Sequence, residues 1–71
     1  MAGPDAIRVE GVVIATLPKS LFRVELPNGH RILAFVGVRL RAEADQILSG
    51  DKVVVEMTPF DMSQGRITTR N

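Results

Sequence analysis

The chain contains no cysteine, tryptophan or tyrosine, and a single histidine. Without thiols it can form neither a disulfide nor a thiolate metal site, so a folded core has to come from apolar burial alone, as suits a reducing cytosol. Three phenylalanines are the only aromatic residues, which restricts any base-stacking surface to a few rings. No apolar run approaches the roughly 20 residues of a membrane helix. The start, Met1 to Asp5, lacks the pattern of a secretory signal. The expectation is a soluble, cytoplasmic protein with no membrane partner, residues 1–5 forming a disordered tail. Net charge is small as well, +1 from nine Lys and Arg against eight Asp and Glu, so bulk electrostatics does not by itself nominate a nucleic-acid binder.

What is present is a patterned chain of 71 residues, 45% of them hydrophobic, enough for one domain spanning 1–71. A domain of this size buries only about 60% of the surface its unfolded chain exposes. Ile7 to Thr16 alternates, with Ile7, Val9, Val13 and Ala15 on one face and Arg8, Glu10, Val12, Ile14 and Thr16 on the other. Gly11 between them marks a bulge or bend in a long strand that pairs on both sides. After a break at Leu17 to Ser20, Leu21 to Leu26 has a period of two, with Phe22, Val24 and Leu26 inward. Pro27, Asn28 and Gly29 reverse the chain into a third strand, His30 to Phe35. Either His30, Ile32 and Ala34 or Arg31, Leu33 and Phe35 face outward there.

Between Gly37 and Leu48 lies the only stretch rich in helix formers, and Ala44, Ile47 and Leu48 recur at helical spacing. A Ser49, Gly50, Asp51 turn leads into a fourth strand, Lys52 to Met57, ended by Pro59. Phe60 to Gln64 reads as a loop, and Arg66 to Arg70 as a last strand with Arg66, Thr68 and Arg70 on one face and Ile67 and Thr69 on the other. Three strands, one short helix and two strands are the order of an all-β, five-stranded OB-fold barrel. The runner-up, an SH3-like barrel, lacks such a helix between strands three and four.

Catalytic chemistry finds little support. His30 follows a turn glycine, where it shapes a hairpin more readily than it acts as a base, and the carboxylates Asp5, Glu10, Glu25, Glu43, Asp45, Asp51, Glu56 and Asp61 are scattered. No phosphate-binding glycine loop is present. The arginines are more informative. Seven of the nine basic residues are Arg, and Arg31, Arg39, Arg41, Arg66 and Arg70 fall in two stretches, His30 to Ala42 and Met62 to Asn71, that hold no acid. The planar guanidinium suits phosphate. With Phe22 in the core, Phe35 and Phe60 are the remaining candidate stacking rings, so contact with the backbone of an already folded RNA is favoured over a generic single-strand platform.

The pieces Gly11 with Val13, Thr16-Leu17-Pro18, Phe22-Arg23-Val24-Glu25-Leu26, Asn28-Gly29-His30, Ala34, Ile47-Leu48, Gly50-Asp51-Lys52-Val53, Val55-Glu56, Thr58-Pro59, and Gly65-Arg66-Ile67 with Arg70 occur in that order. From about Ile7 to Arg70 the chain thereby resembles the bacterial translation initiation factor one family, S1-like OB-fold proteins. The resemblance implies binding to the small ribosomal subunit and its ribosomal RNA at the decoding centre, in the A site. It also implies exclusion of premature tRNA and support of initiation factors two and three. RNA contact carries over to Arg23, Arg39, Arg41, Arg66 and Arg70, with His30 either a further contact or a side chain that shapes the hairpin. A monomer with no enzymatic activity, cofactor or metal is expected. The chain departs from the family pattern after Arg41, where Ala42, Glu43, Ala44, Asp45 and Gln46 bring two acids, at Thr68 and Thr69, and at Phe60, often tyrosine. Two alternatives stand beside this one: a general single-stranded RNA-binding OB protein or RNA chaperone, and a protein-interaction module using Val36 to Leu40.

Overall fold

The computed structural model describes residues 7–58 and 61–70. The expected tail at 1–5, and Phe60 with its stacking role, lie outside the described residues. Five strands, β1 Ile7–Leu17, β2 Leu21–Glu25, β3 Arg31–Val36, β4 Lys52–Thr58 and β5 Asp61–Arg70, close into a barrel in the order β1-β2-β3-β5-β4. A 3-10 helix, Val38–Gln46, joins β3 to β4. This is the OB-fold; the helix between the third and fourth strands sets aside the SH3-like alternative. Every pairing is antiparallel except that of β3 with β5.

The first strand serves two neighbours. Ile7 to Val12 pairs with β4, and Val12 to Leu17 pairs with β2, so the chain pivots at Gly11 and Val12. Gly11 permits the bend because a Cβ there would sit 2.6 Å from Val24 Cγ1 and 3.0 Å from the Glu25 carbonyl oxygen. The bulge itself lies further on, between Val13 and Ala15. It turns Ala15, expected beside Val13, to the outer face opposite Arg23. The displaced Ile14 carbonyl accepts a hydrogen bond from the Ser49 hydroxyl at 3.1 Å.

Val13, Phe22, Val24, Leu26, Ile32, Ala34, Ile47, Val53, Val55, Met57 and Ile67 form the core. Each fully buried aliphatic side chain of this kind contributes about 1.5–3 kcal/mol relative to exposure. The open choice in β3 is resolved with Ile32 and Ala34 inward and Leu33 and Phe35 outward, and the strand begins one residue later than His30. Of the three apolar residues at helical spacing, Ala44 and Ile47 pack inward, whereas Leu48 is exposed. Leu48 instead opens the turn, where its amide donates to Asp51 Oδ2 at 2.9 Å. The Pro27 to Gly29 reversal forms as expected, the Gly29 amide donating to the Leu26 carbonyl at 2.9 Å.

The last strand departs from expectation in two ways. Asp61 to Gln64, read as loop, belongs to β5, with Asp61 opposite Thr58. A second bulge then interrupts the alternation: Ile67 pairs with Val55, Thr69 with Val54 and Arg70 with Val53, leaving Thr68 as the extra residue. Directly paired residues share a face. Thr69 therefore lies outside with Thr68, and Arg70 swings to the side that carries Val53.

Candidate nucleic-acid interface

Strand register lays a row of side chains across the outside of the barrel. Leu21 of β2 faces Phe35 of β3, Phe35 faces Arg66 of β5, Arg66 faces Glu56 of β4, and Glu56 faces Arg8 of β1. One step along, Arg23 faces Leu33, which faces Gln64. Outward alternation in each strand produces this surface. Its members come from all five strands, so no local stretch of sequence reveals it.

The last three members of the row form an ionic cluster. Arg66 Nη2 donates to Glu56 Oε1 at 2.7 Å, and Arg8 Nε donates to Glu56 Oε2 at 3.0 Å. The Glu56 side chain is 6% exposed, Arg66 34% and Arg8 69%, so the carboxylate lies beneath the two guanidinium groups. The Arg66 hydrogen bond first, and then that of Arg8, hold the Glu56 carboxyl below its ordinary pKa; desolvation opposes them without winning. The arrangement leaves one excess positive charge with both carboxylate oxygens engaged.

The three residues of this cluster line an open groove of about 500 Å³ together with Arg39, Thr68 and Thr69, and Gly37, Val38, Leu40 and Ile67 complete its lining. The Thr68 hydroxyl donates to the Val54 carbonyl at 3.4 Å, so the guanidinium forks and the Thr69 hydroxyl are the groups on this concave surface that can donate hydrogen bonds to an anion such as a phosphodiester. Phe35, 45% exposed, adds a ring beside Arg66.

The structure distributes the expected contact residues unevenly. Arg66 and Arg39 share the groove. Arg23 lies on the same outer face, and Arg41 is exposed on the 3-10 helix. Among the described residues, the side chains of Arg23, Arg39 and Arg41 have no ion pair or hydrogen bond. Arg70 does not share a face with Arg66: the Thr68 bulge turns it toward the 3-10 helix, where its Nη2 lies 3.8 Å from Glu43 Oε1. One of the two unusual acids thus engages a basic residue of the protein itself. His30 is exposed at the hairpin, its amide donating to Asn28 Oδ1 at 3.0 Å, consistent with a residue that shapes the turn. Sequence reasoning missed Arg8 as a site residue. The signal available was its outward position in an alternating strand, but its partner lies 48 residues away.

Comparison with known proteins agrees with the architecture. The chain is similar to translation initiation factor one from the Wolbachia endosymbiont strain TRS of Brugia malayi, at 40% identity and a TM-score of 0.75, covering 96% of this chain and 80% of that one. It is also similar to YjeQ from Thermotoga maritima, at 27% identity and a TM-score of 0.69, covering 92% of this chain but 23% of that much longer one. Residues 1–71, the whole length, match the family described as Translation initiation factor 1A / IF-1, and the chain belongs to that family.

Proposed function

We propose that this protein acts in translation initiation by binding the small ribosomal subunit through its ribosomal RNA. On this reading it occupies the A site at the decoding centre, keeps tRNA from entering prematurely and supports initiation factors two and three. The observation that carries the proposal is the concentration of guanidinium groups around one groove and its flanking face. Arg66 and Arg39 line the groove, Arg23 lies on the outer face opposite Leu33, and Arg41 is exposed on the 3-10 helix, the last two without internal partners among the described residues. Such a surface recognises the shape and phosphates of folded RNA more than base sequence. Arg70 contributes once Glu43 releases it, and His30 stands at the margin of the interface. The protein works as a monomer and as a binding module.

The test is binding to isolated small subunits across a salt series. Each phosphate contact should contribute about 0.7–0.9 to the slope of log affinity against log salt, and nucleotides of the decoding centre should be protected from chemical probes. Lack of binding at moderate salt, or binding without that protection, overturns the assignment. Exposed Phe35 favours one second reading, a general binder of single-stranded RNA that stacks bases on the ring. Preference for the subunit over an unstructured RNA oligomer by less than about tenfold, or 1.4 kcal/mol, would select that reading.

A further inference from the structure

We propose that Arg8 is an additional phosphate-contact residue and that Glu56 is the positioning residue that holds Arg8 and Arg66 together as one forked cation for an RNA phosphodiester. The inference rests on the ribosomal-RNA reading above and deepens it. Geometry is the first argument. Arg8 engages Glu56 through Nε, and among the described residues its terminal nitrogens make no hydrogen bond, so their N–H groups remain for a ligand. Arg66 engages Glu56 through one terminal nitrogen and keeps its remaining donors. Both arginines line the same groove as Arg39, Thr68 and Thr69.

Burial is the second argument. The acid is hidden and the bases are displayed, with the Glu56 side chain at 6% and that of Arg8 at 69% exposure. The pair with exposed Arg8 adds little to folding beside the closer, less exposed pair with Arg66. A ligand approaching the groove meets donors, while the acceptor that would repel it is already engaged beneath them. Side-chain ordering is the third. A free surface arginine loses rotamer freedom on binding phosphate, and an arginine already held at Nε has lost part of it beforehand. The cluster therefore extends the interface onto β1, beyond the positions that the family resemblance supplies.

The experiment compares wild type, Arg8→Ala, Glu56→Gln and the charge-matched control Arg31→Ala in small-subunit binding between about 0.05 and 0.5 M salt. Arg31 is exposed near the hairpin and pairs only with Glu25 among the described residues. Circular dichroism and thermal unfolding confirm that each variant is folded. Arg8→Ala should lower the salt slope by about 0.7–0.9 and affinity roughly sixfold near 0.1 M, the gap closing as salt rises. Arg31→Ala should leave the slope unchanged. Glu56→Gln is the decisive arm because it raises net charge by one. If the groove acts as a diffuse positive field, this variant binds more tightly. If Glu56 positions the two arginines, it binds more weakly, with a smaller slope.

An Arg8→Ala slope equal to wild type, an equal effect from Arg31→Ala, or tighter binding by folded Glu56→Gln overturns the inference while leaving the ribosomal reading in place. Absence of wild-type binding overturns both. Should Glu56→Gln fail to fold, Glu56→Asp, which keeps the charge but shortens the reach to both arginines, takes its place: weaker binding with a smaller slope supports the positioning role, and wild-type affinity and slope overturn it.

Discussion

Substituting Gly11 with alanine tests how the first strand bends between its two neighbours. The added methyl carbon would lie 2.6 Å from Val24 Cγ1, 3.0 Å from the Glu25 carbonyl oxygen and 3.3 Å from Leu26 Cδ2. Favourable carbon–carbon separation is about 3.5–4.0 Å, so the Val24 contact must open by about 1 Å. Val24 is completely buried, and Glu25 is fixed in two ladders, so the shift propagates into the core and into the pairing of β1 with β2. Overpacking of this kind costs about 1–3 kcal/mol. Against a domain stability of roughly 4–10 kcal/mol at about 0.05–0.15 kcal/mol per residue, that is a large fraction. It should lower the thermal midpoint by about 5–20 °C. The chain has no tryptophan or tyrosine, so equilibrium urea unfolding would be followed by far-ultraviolet circular dichroism. Val24→Ala in the same background removes the clashing Cγ1 and should make the double variant at least ~0.5 kcal/mol more stable than the sum of the single effects. A Gly11→Ala loss below about 0.5 kcal/mol, or strict additivity with Val24→Ala, would refute the packing account.

Three further outcomes are expected. The folded-state pKa of Glu56 lies below its unfolded value, so its contribution to stability is fully present above the ordinary carboxylate range and is lost as pH falls through the lowered value. The difference in urea midpoint between wild type and Glu56→Gln should accordingly shrink between about pH 7 and pH 3, and a pH-independent difference would contradict it. Glu43→Gln should change stability by less than about 1 kcal/mol yet strengthen small-subunit binding by up to about sixfold at 0.1 M salt, because it releases Arg70; unchanged affinity would show that Arg70 does not reach the RNA. Phe35→Ala should weaken binding to unstructured RNA by less than about fivefold, under ~1 kcal/mol, if shape recognition dominates, whereas a loss equivalent to a stacked base, about 1–3 kcal/mol, together with an equal loss on the subunit would favour the single-strand reading.

Alternation in Leu21 to Leu26 and Lys52 to Met57, and the helix formers after Gly37, made the barrel order legible from the residues. Those patterns reflect burial of one face, which is a local property of each strand. Three features escaped because they are not local. The bulge at Thr68 leaves no mark in composition, yet it moves Thr69 and Arg70 to opposite sides from those that plain alternation assigns. Asp61 to Gln64 is too polar to read as a strand, but Asp61 pairs with Thr58 and Gln64 with Leu33. Glu56 stands at an outward, alternating position and reads as solvated, whereas arginines from two neighbouring strands cover it. The candidate contacts were legible as arginines, but their grouping became clear only when the register placed Arg8 beside Arg66.

The strand order has a consequence for how the molecule is made. β5 is the last strand in the chain but inserts between β3 and β4, making the parallel pair on one side and the antiparallel pair on the other. Until β5 arrives, β3 and β4 each present an unpaired edge, the kind of edge that recruits strands from other chains. During synthesis the first four strands therefore pass through an interval with two sticky edges, and the closing step must wait for a partner distant in sequence, which slows folding relative to local contacts. Removing β5 should yield an aggregating chain rather than a smaller barrel.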